Sequence, residues 1–140
     1  MAQRVKRRHL KIHNDVRRLS ELSGFVEAVA AEKDLDKSLV LALSLALEEA
    51  VTNVVLYAYP EGTDGQVDIE AVIQDGALTF VVSDSGTPFD PTAKPDADIS
   101  LGVEDRPIGG LGIFLVRQIM DSVSYEYTDG KNILTMTKNI

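Results

Sequence analysis

Gln66-Val67-Asp68-Ile69-Glu70-Ala71-Val72-Ile73, then Asp75-Gly76, then Leu78-Thr79-Phe80-Val81-Val82 is the stretch that decides the fold. The two apolar runs read as strands. The Asp-Gly pair between them is a hairpin signal, because the tightest hairpin turns need positive φ at both central positions. A second hairpin closes the chain, with strands predicted over 123–128 and 133–137 around Asp129-Gly130. Residues 4–12 alternate loosely and read as a first strand, with Val5, Leu10 and Ile12 as its apolar members. Asn14 is a candidate cap for a helix over 15–33, where Val16, Leu19, Leu22, Phe25, Val26 and Val29 fall at helical spacing. A long helix is predicted over 37–59, stopped by Pro60 and the turn-rich 61–65, and a shorter one over 113–120. Strand, helix, helix, strand, strand, loop, helix, strand, strand predicts an α+β two-layer sandwich. Its sheet is expected to be mixed but mostly antiparallel, covered on one face by three helices.

The chain has 140 residues, which predicts one domain over 1–140. Apolar residues make up 44% and charged residues 26%, the composition of a globular protein and not of a disordered tail. There is no cysteine, which excludes a disulfide scaffold, a thiolate metal site and a cysteine nucleophile. No run approaches the roughly 18 apolar residues of a membrane span, and no secretory leader stands at the start, so a cytoplasmic protein without membrane contact is expected. Net charge is −8, unevenly placed: residues 1–20 carry seven Lys and Arg against Asp15, or +6, which leaves −14 on the other 120 residues. An acidic body argues against direct nucleic-acid binding. The basic start fits an RNA or membrane arm, or simply a solvated strand or contact surface.

Three short elements carry chemistry. In Leu47-Glu48-Glu49-Ala50-Val51-Thr52-Asn53, Glu49 and Asn53 are four apart and share one helical face. A carboxylate beside an amide oxygen suits a hard cation, or a base next to one; a merely solvated helix face reads the same way. In Val82-Ser83-Asp84-Ser85-Gly86 a strand ends in an acid. An ionised aspartate only accepts hydrogen bonds and so can read an exocyclic amine such as adenine's, and the glycine admits a ring close to the backbone; an Asx turn after a strand is the alternative. Gly109-Gly110-Leu111-Gly112 leads into a helix, which fits a phosphate cradle or a flexible hinge. It is neither a Walker loop nor a Rossmann fingerprint, lacking Gly-Lys-Ser/Thr and a third glycine. Between these elements, 83–112 holds four of the five prolines and five of the ten glycines, a loop too long for an ordinary connection.

In that order the elements resemble the ATP-binding domain of the GHKL superfamily (gyrase, heat-shock chaperone, histidine kinase, mismatch-repair protein), the Bergerat fold. Within it the chain is most similar to the stand-alone anti-sigma factor serine/threonine kinases. Glu49-Ala50-Val51-Thr52-Asn53, Asp84-Ser85-Gly86-Thr87-Pro88-Phe89-Asp90-Pro91, and Gly110-Leu111-Gly112 with 114–121 carry the likeness, which covers nearly the whole chain. The resemblance implies that Asn53 holds Mg²⁺ bridging the phosphates of ATP, that Glu49 is the general base, and that Asp84 reads adenine with Gly86 beneath the ring. It implies that Gly110 and Gly112 meet the phosphates and that about 85–109 forms the ATP lid. In the lid, Asp96, Asp98, Glu104 and Asp105 would repel a polyphosphate without the metal. Arg106 either touches the terminal phosphate or a partner, or balances Glu104 and Asp105. Two positions depart from the family: Gly130-Lys131-Asn132 replaces a usual Gly-Thr, and Tyr57 stands where histidine is frequent. His9 and His13 lie far from the motifs. The implied function is an anti-sigma factor with ATP-dependent serine/threonine kinase activity, acting on a sigma factor and a small antagonist protein, as a homodimer. The alternative is a non-catalytic, ATP-gated module that sequesters a regulatory partner.

Overall fold

The computed structural model describes residues 6–60, 62–93 and 110–140. Five strands, β1 (Lys6–His13), β2 (Gln66–Gln74), β3 (Ala77–Asp84), β4 (Ser122–Thr128) and β5 (Lys131–Asn139), form one sheet in the order β1-β2-β3-β5-β4. Among the described residues every neighbouring pair is antiparallel, where a mixed, mostly antiparallel sheet was expected. The cause is the last connection. After β3 the chain returns at the outer edge as β4, and a tight turn folds β5 back into the gap beside β3. Both hairpin signals act as expected: Asp75 and Gly76 have φ of 53° and 75°, Asp129 and Gly130 of 53° and 76°.

Three helices, α1 (Glu21–Ala31), α2 (Lys37–Asn53) and α3 (Gly110–Ile119), cover one face of the sheet. Burial alternates along the strands accordingly. Val67, Ile69, Ala71 and Ile73 of β2 and Leu78, Phe80 and Val82 of β3 are buried. They meet Leu22 and Val26 of α1, Leu43, Leu47 and Val51 of α2, and Ile113 and Val116 of α3 in one core. The other face is polar, with Thr79 and Thr137 hydrogen-bonded across β3 and β5 at 3.2 Å.

Three helix boundaries differ from expectation. Asp15, not Asn14, is the cap: its carboxylate accepts from the Arg17 amide at 2.9 Å and opens a 3₁₀ turn (Val16–Ser20) ahead of α1. Asn14 instead clasps the loop before β2, donating to Thr63 O and accepting from the Gly65 amide. The long helix is α-helical only to Asn53 and widens into a π turn over Val54–Ala58. Finally, α3 begins at Gly110, so Gly110 and Gly112 lie in its first turn and not in the loop before it.

Lys37–Ala58 is long and apolar enough, by length and a mean hydropathy of 1.8, to cross a membrane, a length the apolar count alone did not reveal. Here it is the central helix of the sandwich. The basic start is a docked strand: Lys6 and Arg8 both bond Glu32 at the end of α1, at 2.9 and 2.8 Å, and His9 lies 3.2 Å from Asp68.

Tyr59, at the end of the π turn, is buried. Its hydroxyl donates to Gln66 O at 2.7 Å and accepts from the Ser85 amide at 3.1 Å, tying the start of β2 to the residue after β3. Tyr59→Phe leaves both groups without this partner, and a lost buried partner costs about 1–3 kcal/mol. The expected result is a lower urea midpoint with an unchanged slope; an unchanged midpoint would show the brace to be idle.

Candidate functional site

Asp84 is the last residue of β3 and pairs in register with Asn132, the second residue of β5. The hairpin thus brings together two polar residues 48 positions apart, on the face that looks toward α2. Asn53, on the last α-helical turn of α2, lines the same small cavity with Asp84, Phe89, Tyr125 and Asn132. Asn53, Asp84 and Asn132 are 4%, 3% and 5% exposed and are the buried polar or charged side chains among the described residues. Buried polar groups otherwise avoid a core, so their gathering at one sheet end marks the site.

The two oxygens of Asp84 differ. Oδ1 accepts from the Gly86 amide at 2.8 Å and from Asn132 Nδ2 at 2.9 Å. Oδ2 is buried with no hydrogen-bond partner, the only such side-chain atom among the described residues. Burial raises the pKa of Asp84, opposed by the bonds from Asn132 and Gly86. An orphaned acceptor held in place by its sister oxygen fits a ligand that brings an N–H donor, as adenine's amine would.

Glu49 stands one turn before Asn53 on α2 and is half-buried. Burial, then the neighbouring Glu48 carboxylate, raises its pKa, the direction that strengthens a carboxylate as a base near neutral pH. Gly86 is required by a close approach: a Cβ there would collide with the Ala58 carbonyl oxygen, and the adjacent Thr87 amide donates to that same carbonyl at 2.6 Å. The Cβ direction of Gly86 is therefore filled by the π turn. Gly110 and Gly112 are placed with their amides in the first turn of a ten-residue helix, where backbone N–H groups lack intrahelical partners. Arg106, Asp96, Asp98, Glu104, Asp105 and Gly109, and with them most of the expected lid, lie outside the described residues.

Sequence reasoning missed Tyr125, whose hydroxyl donates to Asn132 Oδ1, and the stacking of Tyr57 on Phe89, with ring centroids 5.2 Å apart and planes at 22°. Period two along β4 would have put Tyr125 on the inner face. The Tyr57–Phe89 contact joins residues 32 apart and left no local signal. The cavity itself holds only about 20 Å³, room for about one water, whereas small-molecule sites run to roughly 300–1,000 Å³. Wider clefts of about 840 and 630 Å³ lie beyond Tyr59 and include none of Glu49, Asn53 or Asp84.

The sequence model of the histidine kinase-like ATPase domain family matches residues 12–138. The chain is 34% identical over 119 residues to the serine-protein kinase RsbW of Listeria monocytogenes, covering 82% of this chain and 75% of that one. It is 27% identical over 115 residues to the serine/threonine-protein kinase BtrW of Bordetella bronchiseptica, covering 82% and 81%. The RsbU and RsbW domains of Rv1364c from Mycobacterium tuberculosis superpose with a TM-score of 0.68 at 16% identity, over 96% of this chain; this chain spans about a third (32%) of that one.

A carboxyl whose pKa is raised on folding binds more protons folded than unfolded. The stability it contributes is fully present below its unfolded pKa and is lost as pH rises through the folded one. Asp84→Asn removes this titration while Glu49 keeps its own. Relative to wild type, the variant should gain stability as pH rises from about 4, the unfolded aspartate value, through the raised pKa of Asp84. Urea unfolding of both proteins across that window checks this; parallel pH profiles would contradict it.

Proposed function

The chain belongs to the histidine kinase-like ATPase domain family, and from that membership we propose that it is an anti-sigma factor with ATP-dependent serine/threonine kinase activity. It would bind a sigma factor, phosphorylate a small antagonist protein, and work in the cytoplasm as a homodimer. The observation that carries the reading is the buried Asp84 Oδ2, an acceptor without a partner on the cavity that Asn53 also lines. Relatives that are serine-protein kinases support the reaction class.

Asp84 Oδ2 would accept the adenine amine; the 6-oxo group of guanine would set acceptor against acceptor, which favours ATP over GTP. The side-chain oxygen of Asn53 is the hard donor for Mg²⁺, and the metal, when bound, supplies positive charge against the phosphates. Amides of 110–112 at the start of α3 would meet phosphate oxygens. Residues 85–109 would close over the nucleotide as its lid, with Arg106 as a cation near the terminal phosphate. Glu49 would take the proton from the serine or threonine hydroxyl as its oxygen attacks the γ-phosphorus and the bond to the β–γ bridging oxygen breaks. Phosphoryl transfer asks mainly for such positioning and charge stabilisation. Gly86, pressed on Ala58, keeps Asp84 and the π turn in contact beneath the base.

Two variants separate this from an ATP-gated module without transfer. Glu49→Gln should keep Mg²⁺-ATP binding and lose about 10²–10⁴-fold in phosphate transfer to the antagonist. Asn53→Ala should lose nucleotide binding itself. Labelled ATP and equilibrium titration read both; transfer at the wild-type rate by Glu49→Gln would remove Glu49 as the base. Tight binding by wild type with no transfer would leave the gated module.

A further inference from the structure

We propose that Asn132 is a positioning residue that latches residues 87–89 across the nucleotide site, so that the base enters only when this latch opens. The inference rests on the nucleotide-binding reading above for its consequence, though not for its geometry.

A carboxamide has two N–H donors and two acceptor lone pairs. In Asn132 all four are used, and all on protein. Nδ2 donates to Asp84 Oδ1 and to Thr87 O, each at 2.9 Å. Oδ1 accepts from the Phe89 amide at 2.9 Å and from the Tyr125 hydroxyl. The amide orientation is fixed by this network: reversing it would set Nδ2 against the Phe89 N–H and Oδ1 against Thr87 O. Nothing on Asn132 is left to read a base. Two of its four bonds instead run to the backbone of residues 87 and 89.

The same short segment is held from the other side. The Thr87 amide donates to Ala58 O at 2.6 Å, and the Phe89 ring stacks on Tyr57. Further along, Arg117 donates to Thr92 O at 2.7 Å. Fastened at these points, Phe89 and Pro91 line the cavity beside Asn53 and Asp84 and leave about 20 Å³ in it. A purine cannot fit there with the segment in place. The segment must therefore move, and the bonds that must break are those Asn132 makes to residues 87 and 89. Its bond to Asp84 can persist, because both residues sit on neighbouring strands.

A latch and a base contact predict opposite kinetics. Loss of a latch raises the fraction of protein in the open, binding-competent state, which speeds association. Loss of a base contact speeds dissociation and leaves association unchanged. Mg²⁺-ATP association and dissociation are followed by stopped flow for wild type, Asn132→Ala and Asn132→Ser. Both variants should associate about tenfold faster, the change that 1.4 kcal/mol makes. In nucleotide-free protein, the residue-89 amide should exchange its hydrogen about tenfold faster in Asn132→Ala. Faster dissociation with unchanged association, or unchanged exchange at residue 89, would overturn the proposal. If Asn132→Ala does not fold, Asn132→Ser decides by the same rates, since its shorter side chain withdraws from the backbone of residues 87 and 89 and still offers Asp84 a hydroxyl donor. If wild type binds no Mg²⁺-ATP, the kinase reading fails, and the exchange measurement still accepts or rejects the latch.

Discussion

One half-satisfied carboxylate organises this molecule. Asp84 ends β3 inside the protein, with Oδ1 bonded twice and Oδ2 not at all. Burying a charge is costly unless hydrogen bonds repay the lost hydration, and an orphaned buried acceptor adds to that cost. The arrangement persists because its surroundings are over-determined. The β3–β5 register sets Asn132 beside Asp84, and the turn after β3 aims the Gly86 amide back at it. A buried acceptor held without a partner by a rigid frame calls for an explanation, and a donor brought by a ligand would supply one.

The widening of α2 after Asn53 serves the same end. A π turn adds a residue to the helical circuit and redirects the chain beyond it, and such turns gather at functional sites. Here it delivers two groups to the segment after β3. The Ala58 carbonyl receives the Thr87 amide, and the Tyr59 hydroxyl receives the Ser85 amide. Gly86 between them has no room for a side chain. The end of α2 and the end of β3 thus form one unit, with Asn53 and Asp84 as its inward polar groups.

The charge asymmetry of the chain resolves differently from its motifs. Lys6 and Arg8 meet Glu32, and Lys11 meets Asp68, so the basic start neutralises acids of the same sandwich. Charged residues on an edge strand also discourage pairing with another sheet. These partly exposed pairs contribute modestly to stability; their effect is on which surface the edge presents.

Much of the fold was legible in sequence because its signals are local. Asp75-Gly76 and Asp129-Gly130 dictate hairpins through backbone sterics alone, and apolar spacing marked the helices. Glu49, Asn53, Asp84, Gly86 and the glycines at the start of α3 could likewise be picked out by spacing, together with the likeness to the family. Placement could not. Asp15 is the cap because its carboxylate reaches the Arg17 amide two residues on, while the Asn14 carboxamide is taken up by Thr63 and Gly65 across the loop. The π turn, the stacking of Tyr57 on Phe89, the Tyr125–Asn132 bond and the wholly antiparallel sheet all arise from contacts between distant segments. Local sequence determined which elements form and which polar residues they carry. Only tertiary packing decided that those residues share one buried sheet end and that a short segment closes it, because such contacts depend on register and volume, which no stretch of chain encodes by itself.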